Sequence, residues 1–291
     1  MNIEIGAYAG FCTGVELCIK KLDKLLKENK NLYCLGEVVH NKCVVESFKN
    51  KGLIVVDNID GVKGNNLVIR AHGEPKETYE LAKQRNINIY DLTCPKVLNI
   101  RTIVKDYIND DTFIILIAKK NHPEAIGTIS FCGTNSNIVE TKEELENIIP
   151  KLKEYKNIVI IAQTTFNEEV FKEYTKIIKD NLNQKQNIII KNTICNATSI
   201  RQKEVLRLSK VKECMIIIGG VNSSNTKKLY EISKQNCSNT FLIETKEDLE
   251  INKLKEFKDI GIMAGASTPD NVIKELYEEI ERRYNIWKPK V

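Results

Sequence analysis

The chain has 291 residues, of which 42% are hydrophobic and 29% are charged, and its formal net charge is +5 at pH 7. This length allows one large domain or two to three small ones, and the composition is ordinary for a soluble globular protein. No apolar run approaches the ~20 residues that span a bilayer. The N-terminal segment MNIEIGAYAG has no basic region followed by an apolar stretch. We therefore expect neither a signal peptide nor a membrane partner, and we predict a cytoplasmic protein.

The positive charge is weak evidence for nucleic-acid binding. Only seven of the 44 basic residues are Arg, and the Lys residues are dispersed among Glu and Asp. Nucleic-acid-binding surfaces typically cluster basic residues on one face or along a helix, whereas Lys mixed with Glu is typical of a solvated surface. We expect no nucleic-acid partner, although an RNA-binding module stays an alternative that salt-dependent binding tests.

The predicted elements begin with a strand, a Cys and a helix, and this pattern recurs twice further along the chain. A short β-branched run and an amphipathic stretch flank each Cys. The three segments are NIEIGAYAGFC before TGVELCIKKLDKLL, NINIYDLTC before PKVLNIRTIVKDYI, and NIIIKNTIC before NATSIRQKEVLRLS. The recurring residues are Cys12, Cys94 and Cys195.

Three further segments follow each Cys-containing helix in the same order. A strand ending in a polar cluster comes first, as YCLGEVVHN, FIILIAKKNHPE and MIIIGGVNSSN. Next come GLIVVDNIDGV, NIVETKEELENI and FLIETKEDLEI, and then the closing strands LVIRAHG, IVIIAQTT and IGIMAGAST. Strands alternating with helices predict an α/β fold with parallel sheets. We predict three related α/β units with small, mainly parallel sheets at 14–96, 97–193 and 194–280, with 1–13 at the centre and 281–291 as a C-terminal tail.

Polar side chains follow the predicted strands where parallel sheets bind ligands, beyond the carboxyl ends. All three His lie at such ends, namely His40, His72 and His122. Hydroxyl and amide side chains take the matching places elsewhere, and they are Thr164, Ser223, Ser224, Asn225 and Ser267. Together with helix N-termini, these donors suit a phosphate group. Neither GxxxxGK[ST] nor GxGxxG occurs, which disfavours a kinase or a dinucleotide-binding enzyme.

The cysteines indicate a metal site rather than disulfides. Nine Cys is an odd number, and without an export signal a disulfide framework is not expected. No C-x-x-C pair of the kind common in zinc sites and ferredoxins is present. One Cys per unit suggests a cluster on a pseudo-threefold axis, with three irons ligated and one open, while a three-Cys zinc site stays an alternative. The remaining six are predicted to be structural, and they are Cys18, Cys34, Cys43, Cys132, Cys214 and Cys237.

Nine short blocks of the sequence carry a family resemblance. In chain order they are GFCTGV, EVVHN, AHG, TCP, HPE, QTT, the CNAT segment at Cys195, NSSN and AGAS. Through these blocks the chain resembles the 4-hydroxy-3-methylbut-2-enyl diphosphate reductases over nearly its full length. The resemblance implies three α/β units arranged pseudo-threefold around a [4Fe–4S] cluster that has one iron free of protein thiolate. It also implies reductive dehydroxylation of that substrate to isopentenyl and dimethylallyl diphosphates, the last step of the non-mevalonate isoprenoid pathway.

The resemblance assigns roles to residues of this chain block by block. Cys12, Cys94 and Cys195 ligate the cluster. Glu124 supplies the proton, and Thr164 joins it in the hydrogen-bond network at the substrate hydroxyl. The diphosphate-binding residues are His40, His72, His122, Ser223, Ser224, Asn225 and Ser267.

Two points stay open in the sequence. No nicotinamide or flavin motif is present, so we expect electrons to come from a partner protein such as a ferredoxin or flavodoxin. The rival enzyme is a zinc-dependent hydrolase or transferase acting on a phosphorylated substrate, because a fold alone does not fix chemistry.

The chain departs from the usual family pattern at Lys119 and Lys120, which precede the HPE block, and at Asn196, which follows the third Cys.

Overall fold

The computed structural model describes residues 1–29, 31–182 and 185–284. In chain order the strands are β1 Asn2–Ile5, β2 Leu32–Leu35, β3 Ile54–Val56, β4 Asn66–Ile69, β5 Asn88–Asp91, β6 Thr112–Ile117, β7 Ser136–Val139, β8 Asn157–Ala162, β9 Asn187–Ile190, β10 Cys214–Ile218, β11 Thr240–Ile243 and β12 Asp259–Ala264. Short 3₁₀ segments lie at Ile59–Gly61, Lys246–Asp248 and Ile251–Glu256.

The helices follow the strands as the alternating pattern predicts. They are α1 Thr13–Glu28, α2 Lys42–Asn50, α3 Lys76–Gln84, α4 Pro95–Lys105, α5 Pro123–Ile129, α6 Lys142–Leu152, α7 Glu168–Asn181, α8 Asn196–Ser209, α9 Ser224–Asn236 and α10 Asp270–Tyr284. Each of α1, α4 and α8 begins directly after one of the three recurring cysteines, as predicted.

The strands form three four-stranded sheets, and every strand pairing among the described residues is parallel. The first sheet has the order β3-β2-β4-β5, the second β7-β6-β8-β9 and the third β11-β10-β12-β1. The same order of equivalent strands thus occurs three times. The predicted class, three α/β units with small parallel sheets, is confirmed, and their pseudo-threefold arrangement stays a prediction.

The strand β1 completes the third sheet although it opens the chain. It pairs with β12, with Asn2 opposite Asp259 and Ile5 opposite Ile262. The segment 1–13, expected at the centre of the protein, therefore contributes an edge strand to this sheet. Of the predicted tail, 281–284 belong to α10, and 285–291 lie outside the described residues.

The second sheet shows why these strands are continuous apolar runs. Its residues alternate between two faces, and helices cover both, as is usual for parallel sheets. Ile115 and Ile160 are buried together with residues of α6 and α7. Ile114 and Val159 are buried on the other face together with residues of α4 and α5. The second sheet thereby holds α4 and α5, and the loops before them, in fixed places.

The chain divides into two compact bodies. The two-sheet body comprises Leu17–Val38 and Lys49–Cys195 and holds the first and second sheets. The third-sheet body comprises Met1–Glu16, Val39–Phe48 and the described residues from Asn196 onward. The boundaries predicted for the three units, at 14–96, 97–193 and 194–280, stay a prediction. Among the described residues, no helix combines the length and the apolar character needed to cross a membrane.

Candidate active site

In each of the three sheets, the order in which strands are added reverses at an equivalent strand, namely β2, β6 or β10. With the edge strands β5, β9 and β1 set aside, the first strand of each sheet lies inside it, the next strand is added on one side, and the third on the other. The crevice between the first and third strands, beyond their carboxyl ends, is the usual ligand site of such sheets. In the second sheet this crevice lies between β6 and β8, which lead directly to Glu124 and Thr164.

Glu124 and Thr164 form a closely bonded pair in the two-sheet body. The Thr164 hydroxyl donates to Glu124 Oε2 at 2.6 Å, and the Thr164 backbone N–H donates to Oε1 at 2.6 Å. Glu124 is only 2% exposed, and no basic side chain forms an ion pair with it among the described residues.

Burial changes the acidity of Glu124. It raises the pKa of the Glu124 carboxyl from its ordinary value of 4.5 to about 7, against the two hydrogen bonds from Thr164, which lower the pKa. Removal from water penalises the charged form of a carboxyl group. A carboxyl group that titrates near neutral pH can both hold and release a proton, as a general acid requires.

His122 begins the helix that carries Glu124. It is the N-cap of α5, and its Nδ1 accepts a hydrogen bond from the Glu124 N–H at 3.1 Å. Because Nδ1 accepts, the proton of the neutral ring is on Nε2, which then acts as a donor. Pro123 suits the first helical position, where no N–H is needed.

His72 lies beside His122 in the same body. Their ring centroids are 5.6 Å apart with the planes at 81°, and ring nitrogens of the two lie within 4.8 Å of one another. His72 follows β4 of the first sheet and His122 follows β6 of the second. The two sheets therefore bring together two of the three predicted His, in an arrangement that can offer donors to one anionic group.

The three recurring cysteines share one backbone arrangement. Each N–H donates to a carbonyl at the tip of the neighbouring closing strand, Cys12 to Ala266 at 3.1 Å, Cys94 to Ala71 at 2.9 Å and Cys195 to Thr164 at 2.8 Å. These tips carry the predicted residues Ser267, His72 and Thr164. The equivalent bond in all three units ties each Cys to one candidate ligand-binding tip.

The nine cysteines differ in burial, and four of them, Cys12, Cys43, Cys94 and Cys195, are half-buried. All lie within the described residues and none forms a disulfide. Cys12, Cys94 and Cys195 are half-buried, and the side chain of Cys94 makes no capping bond to α4. By contrast, burial raises to about 12 the pKa of the four thiols of Cys18, Cys34, Cys132 and Cys214. Those four thiols stay protonated at neutral pH, as is typical of buried cysteines that are structural and unreactive.

The third-sheet body carries its own group of polar residues. Asn225 is only 4% exposed, and neither its amide oxygen nor its amide nitrogen has a hydrogen-bond partner among the described residues. Ser223 caps α9 and accepts from the Thr226 N–H at 3.3 Å. Buried amide groups without partners are rare and costly. The Asn225 amide therefore indicates a place for a polar ligand.

His40 lies next to this group. The Ser267 hydroxyl donates to the His40 carbonyl at 3.3 Å. A Cβ added to Gly220 would lie 2.3 Å from the same carbonyl oxygen, so only glycine allows the loop after β10 to pass this close. Backbone contacts thereby gather His40, Ser267 and the α9 residues in one body.

Comparisons with known proteins decide the family. The LytB protein family matches residues 3–281. The chain belongs to the LytB protein family. It is 40% identical over 283 residues to a 4-hydroxy-3-methylbut-2-enyl diphosphate reductase of Clostridioides difficile, with 97% of this chain and 99% of that protein covered. It is 39% identical over 285 residues to the enzyme of the same name from Aquifex aeolicus, with 97% and 96% covered.

Two solved structures agree with the fold. One is described as (E)-4-hydroxy-3-methyl-but-2-enyl diphosphate reductase, the terminal enzyme of the non-mevalonate pathway; it shares 38% identity and a TM-score of 0.71 and covers 97% of this chain and 100% of that one. The other is the E-1-hydroxy-2-methyl-but-2-enyl-4-diphosphate reductase of Plasmodium falciparum, at 27% identity, a TM-score of 0.87, and 96% and 87% coverage. The predicted family resemblance is confirmed.

Membership in the LytB family makes a metal cofactor plausible, and the residues present fit one. Three half-buried cysteines follow equivalent strands, and each sits at the start of a helix, while the most buried thiols are set apart by their high pKa. Thiolate sulfur is the ligand type of iron–sulfur and zinc centres.

Sequence reasoning missed the groups that hold these loops. Arg201 of α8 is 4% exposed and donates from Nη2 to the Gly10 carbonyl at 2.8 Å, close to Cys12. Glu204 accepts from the N–H groups of Ala7 and Tyr8 at 2.7 and 2.9 Å. No local pattern signals the Arg201 contact, because Arg201 and Gly10 are 191 residues apart along the chain.

Proposed function

We propose that this chain reduces 4-hydroxy-3-methylbut-2-enyl diphosphate to isopentenyl and dimethylallyl diphosphates, the terminal step of the non-mevalonate isoprenoid pathway. Relatives of that name match nearly the whole chain. The observation in this structure that supports the chemistry most directly is the buried pair Glu124–Thr164, with the pKa of Glu124 raised to about 7 by burial.

The reaction needs two electrons and two protons for each substrate molecule. The bond between carbon and the hydroxyl oxygen breaks, a bond between carbon and hydrogen forms, and the oxygen leaves as water. We propose that Cys12, Cys94 and Cys195 hold a [4Fe–4S] cluster, which when bound supplies the electrons one at a time. A ferredoxin or flavodoxin is the proposed electron donor, and the cytoplasm is the proposed location.

Glu124 is the proposed proton donor. Near neutral pH a substantial share of its carboxyl groups is protonated, because burial raises its pKa to about 7. Thr164 fixes the carboxyl plane through two donors, so the proton is presented in one direction. The Thr164 N–H bond also stabilises the carboxylate that remains after proton release.

Each of the two bodies contributes its own set of proposed diphosphate-binding residues. In the two-sheet body, His72 and His122 offer ring N–H donors at adjacent positions. In the third-sheet body, the proposed residues are His40, Ser223, Ser224, Asn225 and Ser267. The unpartnered amide of Asn225 and the N-terminus of α9 are suited to phosphate oxygens.

Anaerobic reconstitution with iron and sulfide tests this proposal. The reconstituted protein, given reduced methyl viologen and the substrate, is expected to form both isoprenoid diphosphates and to oxidise two equivalents of viologen per turnover. Stoichiometric zinc without acid-labile sulfide, or hydrolysis of the diphosphate in place of reduction, contradicts the proposal.

A further inference from the structure

Arg101 connects three segments of the two-sheet body. It lies in the second turn of α4, the helix that begins after Cys94. Its Nη2 donates to the Glu74 carbonyl at 3.1 Å, and its Nη1 donates to the Tyr79 hydroxyl at 3.0 Å. Its guanidinium carbon also lies 4.2 Å from the ring centroid of Phe131, which follows α5. Only Arg combines two directed donors with a flat face that stacks on an aromatic ring.

The guanidinium shapes the loop that carries His72. Gly73 has φ +78°, and a Cβ added there would lie 2.2 Å from Arg101 Nη2. The backbone after His72 therefore passes directly against the guanidinium, in a conformation that glycine adopts readily. The side chain of Arg101 thus determines how closely residues 72–74 approach α4.

Helix α5 holds the same loop from another side. A Cβ added to Gly127 would lie only 3.4 Å from the backbone of Glu74. The Lys76 N–H donates to Ser130 Oγ at 2.9 Å, and Ser130 Oγ donates to the Gly127 carbonyl at 2.7 Å. Because His122 is the N-cap of α5, the loop after His72 is fixed against the helix that orients His122.

The network also reaches the approach to Cys94. The Tyr79 hydroxyl accepts from Arg101 and donates to Asp91 Oδ2 at 3.1 Å. Asp91 Oδ1 in turn accepts from the N–H of Thr93, the residue before Cys94, at 2.9 Å. The Arg101 side chain is thereby hydrogen-bonded to the segment that carries His72, linked through the Tyr79 hydroxyl to the segment that carries Cys94, and stacked on Phe131 after the helix that begins at His122.

We propose that Arg101 is a positioning residue that sets the separation of the His72 and His122 rings and so determines affinity for a diphosphate group. The inference rests on the proposed function, because it takes these two rings as diphosphate donors. Arg101 itself touches neither ring nor ligand in this role. It acts by fixing two backbone segments whose relative shift moves one ring against the other.

Three variants test it, each compared with a matched control. Arg101→Met keeps the aliphatic part of the side chain and removes every hydrogen-bond donor. Arg101→Lys keeps the charge but removes the paired guanidinium donors and the stacking on Phe131. Tyr79→Phe keeps Arg101 and removes one of its hydrogen-bond partners. Arg85→Met is the control, since Arg85 is also in the two-sheet body and forms an exposed ion pair with Asp60 at 2.6 Å. Calorimetric titration of each reconstituted protein with inorganic pyrophosphate gives the affinity.

Arg101→Met and Arg101→Lys are expected to bind pyrophosphate about tenfold more weakly and to show a similar rise in KM, because a shifted donor loses most of its bond. Iron content, kcat and the Arg85→Met affinity should stay within about twofold of the wild type. Pyrophosphate affinity within twofold of the wild type in Arg101→Met overturns the inference.

If Arg101→Met does not fold, Arg101→Lys and Tyr79→Phe decide by the same criterion. Unchanged affinity in both overturns the inference. The binding comparison holds even where the wild type fails to reduce the substrate, so the proposed function and this inference fail by different results.

Discussion

Replacing Glu124 by Gln changes one property of the site and preserves the rest. In Glu124→Gln the new amide oxygen can accept from the Thr164 N–H, and the new amide nitrogen can donate to the Thr164 hydroxyl, which is free to rotate. Both contacts now made at 2.6 Å can therefore persist, the bond from the Thr164 N–H in the same direction and the bond with the Thr164 hydroxyl in the reverse direction. The variant keeps the shape and hydrogen bonding of the wild type and lacks only the ionisable proton.

The expected loss follows from general acid catalysis. Such catalysis contributes about 10² to 10⁴ in rate, so kcat is expected to fall at least ~100-fold, which corresponds to about 2.7 kcal/mol of activation free energy. KM is expected to change by less than about threefold, because Glu124 is not one of the proposed diphosphate donors. In the wild type, kcat should fall as pH rises above about 7, where the carboxyl group with its raised pKa loses its proton.

Steady-state kinetics of the reconstituted protein from pH 6 to pH 9 measures both quantities. Glu140→Gln is the control, because Glu140 lies near the same loop and accepts from the Lys120 N–H at 2.8 Å, a bond that Gln can also accept. A wild-type kcat in Glu124→Gln, or an unchanged alkaline fall in that variant, refutes the reasoning.

The raised pKa of Glu124 also has a consequence for stability. The folded protein binds this proton more tightly than the unfolded chain, in which the pKa is near 4.5. The favourable contribution is therefore complete below pH 4.5 and is lost as pH rises to about 7. Relative to Glu124→Gln, the wild type should lose up to about 3 kcal/mol of unfolding free energy between pH 4.5 and pH 8. Urea unfolding of the apoproteins at several pH values measures this difference, and a pH-independent difference contradicts the assigned shift.

Two further predictions concern the neighbouring residues. Thr164→Val removes one bond that lowers the pKa of Glu124, so kcat should fall about tenfold and its alkaline decline should move to higher pH; a decline at unchanged pH counts against the pair. His40→Phe and His72→Phe each remove a proposed donor, so KM for the diphosphate substrate should rise about tenfold with the cluster spectrum preserved; an unchanged KM in both variants removes the anion-site assignment.

Much of the fold could be predicted because local patterns repeat. A β-branched run, a Cys and a helix recur at Cys12, Cys94 and Cys195, and all three helices begin where the pattern predicts. The position of β1 could not be predicted in the same way. The equivalent strands β5 and β9 each join the sheet formed by the strands just before them in the chain, but β1 has no strand before it. Only the structure pairs β1 with β12.

The sequence predicted which residues form the candidate site, but it did not predict the long-range contacts that hold their loops in place. His122, Pro123 and Glu124 are consecutive, so a helix start beside an acid was visible in the sequence. The roles of Arg101 and Arg201 were not, since their partners Glu74 and Gly10 are far away along the chain. Such contacts depend on how helices pack on sheets, which no local pattern encodes.

The most direct test of the central claim is the iron and acid-labile sulfide content of Cys94→Ser beside Cys18→Ser. Both residues lie in the two-sheet body, but Cys18 is buried, with its thiol pKa raised to about 12 by burial, and Cys94 is half-buried at the start of α4. After anaerobic reconstitution, the wild type and Cys18→Ser are expected to be brown with roughly four irons and four sulfides, and Cys94→Ser is expected to lose the cluster. Equal iron and sulfide contents in the two variants would contradict ligation by Cys94.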